Sequence, residues 1–158
     1  MESDDEIRAQ LRTLERAEAA PYTDFRPTPR WFLPAAALWG GSLAALVRLG
    51  RSDSRPAEIV AVVGIIGLSA LLGVYVAWYQ SYHGATPSLF RKKPPEIRRV
   101  MGFYAVGAAV VLALNALTVA VAPWWVCAVV GFVTTAAGLW WYERAYVAAA
   151  AATKKRLA

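Results

Sequence analysis

The sequence predicts an all-α integral membrane protein: four transmembrane helices arranged as two helical hairpins, preceded by a short cytoplasmic N-terminal amphipathic helix. Residues 100 to 142 contain no charged side chain and are broken only by Ala122-Pro123-Trp124-Trp125 near the middle. At a rise of about 1.5 Å per residue this stretch would make a helix of about 65 Å, roughly twice the thickness of a bilayer's hydrocarbon core, so it folds back as two spans. Two earlier apolar stretches, Trp31 to Val47 and Ile59 to Tyr79, are each close to one crossing in length. Composition agrees. Hydrophobic residues make up 58% of the chain and mean hydropathy is +0.37, yet Lys and Arg number 17 against 11 Asp and Glu. Soluble domains rarely combine the two, and here the charges sit in ends and loops.

The organisation follows. Residues 1–30 form a tail with an amphipathic helix over 3–19. A four-span domain covers 31–146, with spans near 31–49, 58–79, 100–121 and 124–144. Residues 147–158 form a basic cytoplasmic tail. The 158 residues leave no room for a separate soluble catalytic module. The Trp31 stretch follows a charged tail and lacks the layout of a cleavable signal peptide, so all four spans are expected to be retained. Cys127 is the only cysteine, which excludes an intrachain disulfide, a CxxC pair and a multi-cysteine metal site.

The first helix has the spacing of a capping box at Ser3 and Glu6, with Asp4 and Asp5 in the acidic first turn. Ile7, Leu11 and Leu14 recur at i, i+4 and i+7, and the stripe stops at Glu18. A helix this short is marginal alone in water, so the stripe is expected to dock on its own loop, the membrane surface, a second copy or a partner. The following segment, Pro21 to Pro29, reads as an extended connector that cannot continue the helix. Pro34 then falls in the first turn of span one, where a missing amide is tolerated.

The spans are rich in small residues. Gly40/Ala44 and Gly41/Ala45 in span one, and Gly131/Thr135 with Thr134/Gly138 in span four, repeat at the four-residue spacing that lets helix backbones approach closely. Gly64, Gly67 and Gly73 offer the same in span two. Such motifs serve packing within one bundle or between copies of the chain.

Orientation follows from the basic residues. Fourteen lie in the N-terminal tail, the loop after span two and the C-terminal tail; Arg48, Arg51 and Arg55 alone lie on the other side. Both termini are therefore expected in the cytoplasm. Trp124 and Trp125 at one end of span four stand about 22 Å along the helix from Trp140, Trp141 and Tyr142, a separation that fits one crossing.

Three constellations are candidates for function. Asn115, one turn from Thr118, is the most polar residue at depth; it either hydrogen-bonds between helices or lines a path. Tyr75, Trp78, Tyr79 and Tyr82 share one face at the inner end of span two, with His83 just beyond. They read as an interfacial belt or as a shallow pocket for a headgroup or quinone-like ring. Arg91, Lys92, Lys93, Arg98 and Arg99 form a basic loop that would attract anionic lipid at about 1 kcal/mol per residue. The Pro94-Pro95 pair within it stiffens the start of span three.

Arg48, Glu58 and Glu143 fall at span ends, so no coupled carboxylate lies inside the membrane, which argues against a proton-coupled antiporter. His83 is the only histidine, so bis-histidine haem ligation within one protomer is excluded, and no cofactor is implied. Nucleic acid is not an expected partner, because the basic residues are split among membrane-tied segments. No nucleophile–base pair is legible, so an enzyme is not expected. Heavy use of Ala, Arg and Trp suits a bacterial source. The function expected is that of a non-enzymatic accessory or interaction subunit of the cytoplasmic membrane, whose partners are the bilayer and either further copies or another membrane protein. The alternative is a small oligomeric channel, transporter or holin-like pore.

Overall fold

The computed structural model describes residues 4–24, 26–83 and 93–157, which form five helices and no strand. These are α1 (Asp4–Thr23), α2 (Phe32–Leu49), α3 (Arg55–His83), α4 (Pro95–Val121) and α5 (Trp124–Leu157). The four helices from α2 onward are each long and apolar enough to cross a membrane. Ser3, Arg91 and Lys92 lie outside the described residues, as do the side chains of Glu6 and His83.

The bundle is small inside and large outside. Its buried positions include Ala37, Gly41, Ala44 and Ala45 on α2 and Cys127 and Gly131 on α5, while Ile66, Val74, Leu112, Leu117 and Val121 are exposed. A contiguous apolar exterior of this kind suits an apolar surrounding and is compatible with a membrane protein. The closest packing is between α2 and α5; α5 also packs on α4 and α1, and α3 leans chiefly on α2. Small residues make the α2–α5 contact possible. A Cβ added at Gly131 would stand 2.9 Å from the Gly40 carbonyl oxygen, and one at Gly41 2.7 Å from that of Ala128. Across α2 and α3, Gly64 faces the end of the Leu46 side chain, which can move, rather than a backbone. Around Gly67, Gly73 and Gly138 there is open space within 4 Å, so these three do not serve close packing.

Polar groups tie the helices at specific heights. Arg48 donates from Nε to the Ala122 carbonyl at 2.8 Å, and the buried Cys127 thiol stands 3.6 Å from the Thr118 carbonyl. Trp39 donates from Nε1 to the Leu68 carbonyl at 3.2 Å, linking α2 to α3.

Two expectations need correction. Helix α1 does not stop at residue 19: it runs through Pro21 to Thr23. Pro21 leaves the Ala17 carbonyl without an amide donor, but Ala17 is exposed, so water can serve it. The helix then delivers Tyr22 into a buried cluster with Ile97, Ala149 and Ala150, which offsets the proline's cost. The last helix does not end near residue 144 either. It continues to Leu157 through the alanine run 148–152, the residue type with the highest helix propensity, and ends in Lys154, Lys155 and Arg156, where cations suit the helix dipole.

Candidate functional site

The tail ends of the bundle form a platform. Helix α1 lies against the far part of α5, with Ala19 and Tyr22 buried in the contact. The Tyr146 hydroxyl donates to the Tyr22 carbonyl at 3.1 Å. Lys154 pairs with Asp24 at 2.8 Å, and Arg16 Nε donates to the Leu157 carbonyl at 2.6 Å. The first turn of α4 joins them: Glu96 accepts from Arg156 Nε at 2.9 Å and stands 3.2 Å from the Thr153 hydroxyl. Pro95 at the first helical position brings Glu96 and the fully buried Ile97 to this junction.

Helix α1 therefore docks on its own chain, and it does so by a face other than the one expected. Ile7, Leu11 and Leu14 are 43%, 57% and 61% exposed. At about 100° per residue their stripe is turned roughly 85° from the docked face centred on Ala19 and Tyr22. Tyr22 and Ala19 carry no periodic signal in the sequence, because they follow the point where the stripe meets Glu18 and flank a proline.

Beneath the platform, a cleft of about 560 Å³ opens between α3 on one side and α4 and α5 on the other. Tyr75, Trp78 and Tyr79 line the first wall and Tyr104, Tyr142 and Tyr146 the second, with Pro21, Tyr22, Asp24, Arg26, Thr28 and Pro29 contributing at the tail end. The aromatic face predicted on α3 is thus present and makes contacts of its own. Tyr75 stacks on Phe32 at 5.4 Å between centroids, Trp78 meets Trp31 at 5.1 Å, and Tyr82 stacks on Trp78 at 5.0 Å. The facing rings also touch one another, Tyr104 against Tyr142 at 4.5 Å and Tyr142 against Tyr146 at 5.7 Å. Tyr142 and Tyr146 are one turn apart on α5, a signal the sequence did carry; what it withheld was that α4 and α5 turn their rings toward those of α3.

Three charged residues line the cleft. Asp24 is paired with Lys154. Arg26 lies with its guanidinium carbon 5.4 Å from the Tyr82 ring centre. Glu143 is exposed and forms no ion pair among the described residues.

The Asn115 candidate resolves differently. Asn115 Nδ2 donates to Thr134 Oγ1 at 3.1 Å and to the Val111 carbonyl at 2.9 Å. Its partner is on α5, whereas the Thr118 hydroxyl donates to Leu114 of its own helix at 2.8 Å. Of the basic group, Arg98 and Arg99 are exposed at the start of α4 and Lys93 is half-buried. No group of three His, Cys, Asp or Glu side chains converges as a metal site among the described residues. Comparison with protein-family models, with curated proteins and with solved structures finds no match.

Proposed function

We propose that the chain is a non-enzymatic accessory protein of the cytoplasmic membrane, with four spans and both termini inside, that presents α1 as a contact surface to another membrane protein. The observation that carries this reading is the division of labour on α1. One face is fastened to α5 by Tyr22, Asp24 and Arg16, while the Ile7/Leu11/Leu14 stripe is held outward. An apolar stripe on a fixed helix is the arrangement used when a helix lies in a partner's groove. Around that stripe α1 carries five acidic residues against three arginines, a balance that disfavours an anionic leaflet and favours a protein.

The pore alternative has less behind it. The Asn115 amide is committed to Thr134 and Val111, and the glycines at the α2–α5 contact are filled within one chain. Solute flux in liposomes holding the purified chain would favour the pore.

A photo-crosslinker placed at Leu11 tests the accessory reading. It should trap one defined membrane protein in cells, identified by mass spectrometry, and replacing Ile7, Leu11 and Leu14 together by Ser should release that protein from the detergent-solubilised complex while leaving helicity unchanged. Retention of the same partner by the triple variant overturns the reading, and crosslinks to the chain itself replace the partner by a second copy.

A further inference from the structure

The accessory reading makes no use of the aromatic cleft, and we infer that this cleft is a binding site for an amphipathic organic cation. Its volume of about 560 Å³ falls within the range of small-molecule sites, and its lining is a ring-rich wall with few polar groups. Aromatic residues line the space from both sides, among them Tyr75, Trp78, Tyr79, Tyr104, Tyr142 and Tyr146. The face of an aromatic ring is the negative part of its quadrupole, so rings converging from two sides favour a positive charge between them. Phe32, Met101 and Leu139 supply surface for an apolar body.

Charge decides the sign of the occupant. Glu143 brings a carboxylate to the cleft with no ion pair among the described residues, while three basic side chains at this end are engaged. Lys154 is on Asp24, Arg156 on Glu96, and Arg144 lies 4.0 Å over the Trp140 ring. Arg144 and Arg26, each over a ring, show that aromatic faces at this end hold cations in this chain. An anionic headgroup or free phosphate would instead meet the Glu143 carboxylate and the negative faces of the rings. Arg26, the cation among the lining residues, opposes the proposed ligand and sets a limit on its affinity. The route in is lateral: α3 leans on α2 and stands away from α4 and α5, leaving the cleft open between them.

Equilibrium dialysis of tetraphenylphosphonium against the purified full chain in nonionic detergent, with protein-free micelles subtracted, tests the site. Saturable binding at one ion per chain is expected, with no saturable binding of tetraphenylborate, which has the same shape and the opposite charge. Glu143→Gln should weaken binding on the order of tenfold, and Arg26→Ala should strengthen it about threefold, since a unit charge at the rim of a half-exposed site acts through a high effective dielectric. Tyr142→Phe should bind as the native chain does and Tyr142→Leu more weakly; should the leucine variant fail to fold, the exposed Glu143 and Arg26 positions still decide. Absence of saturable binding, equal binding of tetraphenylborate, or an unchanged affinity in Glu143→Gln would overturn the proposal. A preference for tetraphenylborate that is lost in Arg26→Ala would overturn it in favour of an anion site.

Discussion

The guanidinium of Arg48, in the last turn of α2, donates to the carbonyl of Ala122, the residue that caps the C-terminus of α4, at 2.8 Å. A helix end leaves its last carbonyls without amide partners and carries partial negative charge, so an arginine reaching in from a neighbour serves both needs. Arg48→Met should destabilise the bundle by about 1.5–3 kcal/mol, the range for a hydrogen bond to a charged group, and Arg48→Lys by less. Reversible unfolding in mixed micelles measures this, and a methionine variant as stable as the native chain would contradict it.

The bond between Asn115 and Thr134 couples α4 to α5. In a double-mutant cycle with Asn115→Leu and Thr134→Val, the coupling energy should fall at about 0.5–2 kcal/mol, the range for such bonds between membrane helices. A value near zero would mean that the two side chains act independently.

Glycines of the same spacing should respond in opposite ways. Gly131→Val places a branched side chain against Ala44 and the Gly40 carbonyl, which must move apart, and should cost about 1–3 kcal/mol or more. Gly138→Ala meets open space within 4 Å and should be neutral or stabilise by up to about 1 kcal/mol. Thermal aggregation of the two variants in one detergent separates them.

Release of α1 from α5 should depend on the buried ring rather than on the ion pair. The Lys154 and Asp24 side chains are 57% and 63% exposed, so Lys154→Ala should cost no more than about 1 kcal/mol. Tyr22 is 2% exposed, and Tyr22→Ala should cost about 3–5 kcal/mol of docking energy, the range for removing a buried aromatic ring. Limited trypsin digestion reads this at Arg8, Arg12 and Arg16. The alanine at position 22 should open those sites, and the one at 154 should leave them protected.

Orientation can be tested on a Cys127→Ser background, which keeps a weak donor near the Thr118 carbonyl. A cysteine at Ser52 should react with an impermeant maleimide in intact cells, and one at the exposed Ala151 only after lysis, since 14 of the 17 basic residues lie on the tail side. The reverse pattern would invert the assignment.

Much of the bundle was legible before the fold. The charge-free run from Val100 to Tyr142, its interruption at Pro123 and the apolar stretches before it locate four long helices, because length and hydropathy are local properties of the chain. The shared face of Tyr75, Trp78, Tyr79 and Tyr82 follows from helical spacing alone. Local reading failed at Pro21 and beyond residue 144. In the first case a proline's local cost is outweighed by burying Tyr22 against Ile97, more than seventy positions away in the chain. In the second, an alanine-rich segment counted as tail is held in helix by contacts with α1 and α4.

The sequence by itself determined the helical class, the number of long apolar helices and the chemistry available at their ends. It left open which of several equivalent small residues pack. Gly40, Gly41 and Gly131 meet another backbone or side chain while Gly67, Gly73 and Gly138 meet none, a distinction set by how α2 crosses α5. Tertiary structure likewise chose Thr134 over Thr118 as the partner of Asn115, turned the Ile7 stripe away from α5, and gathered rings from α3, α4 and α5 around one cleft. The physical reason is common to all three: a helix's periodicity states which residues share a face, and only packing against the other helices decides what that face meets.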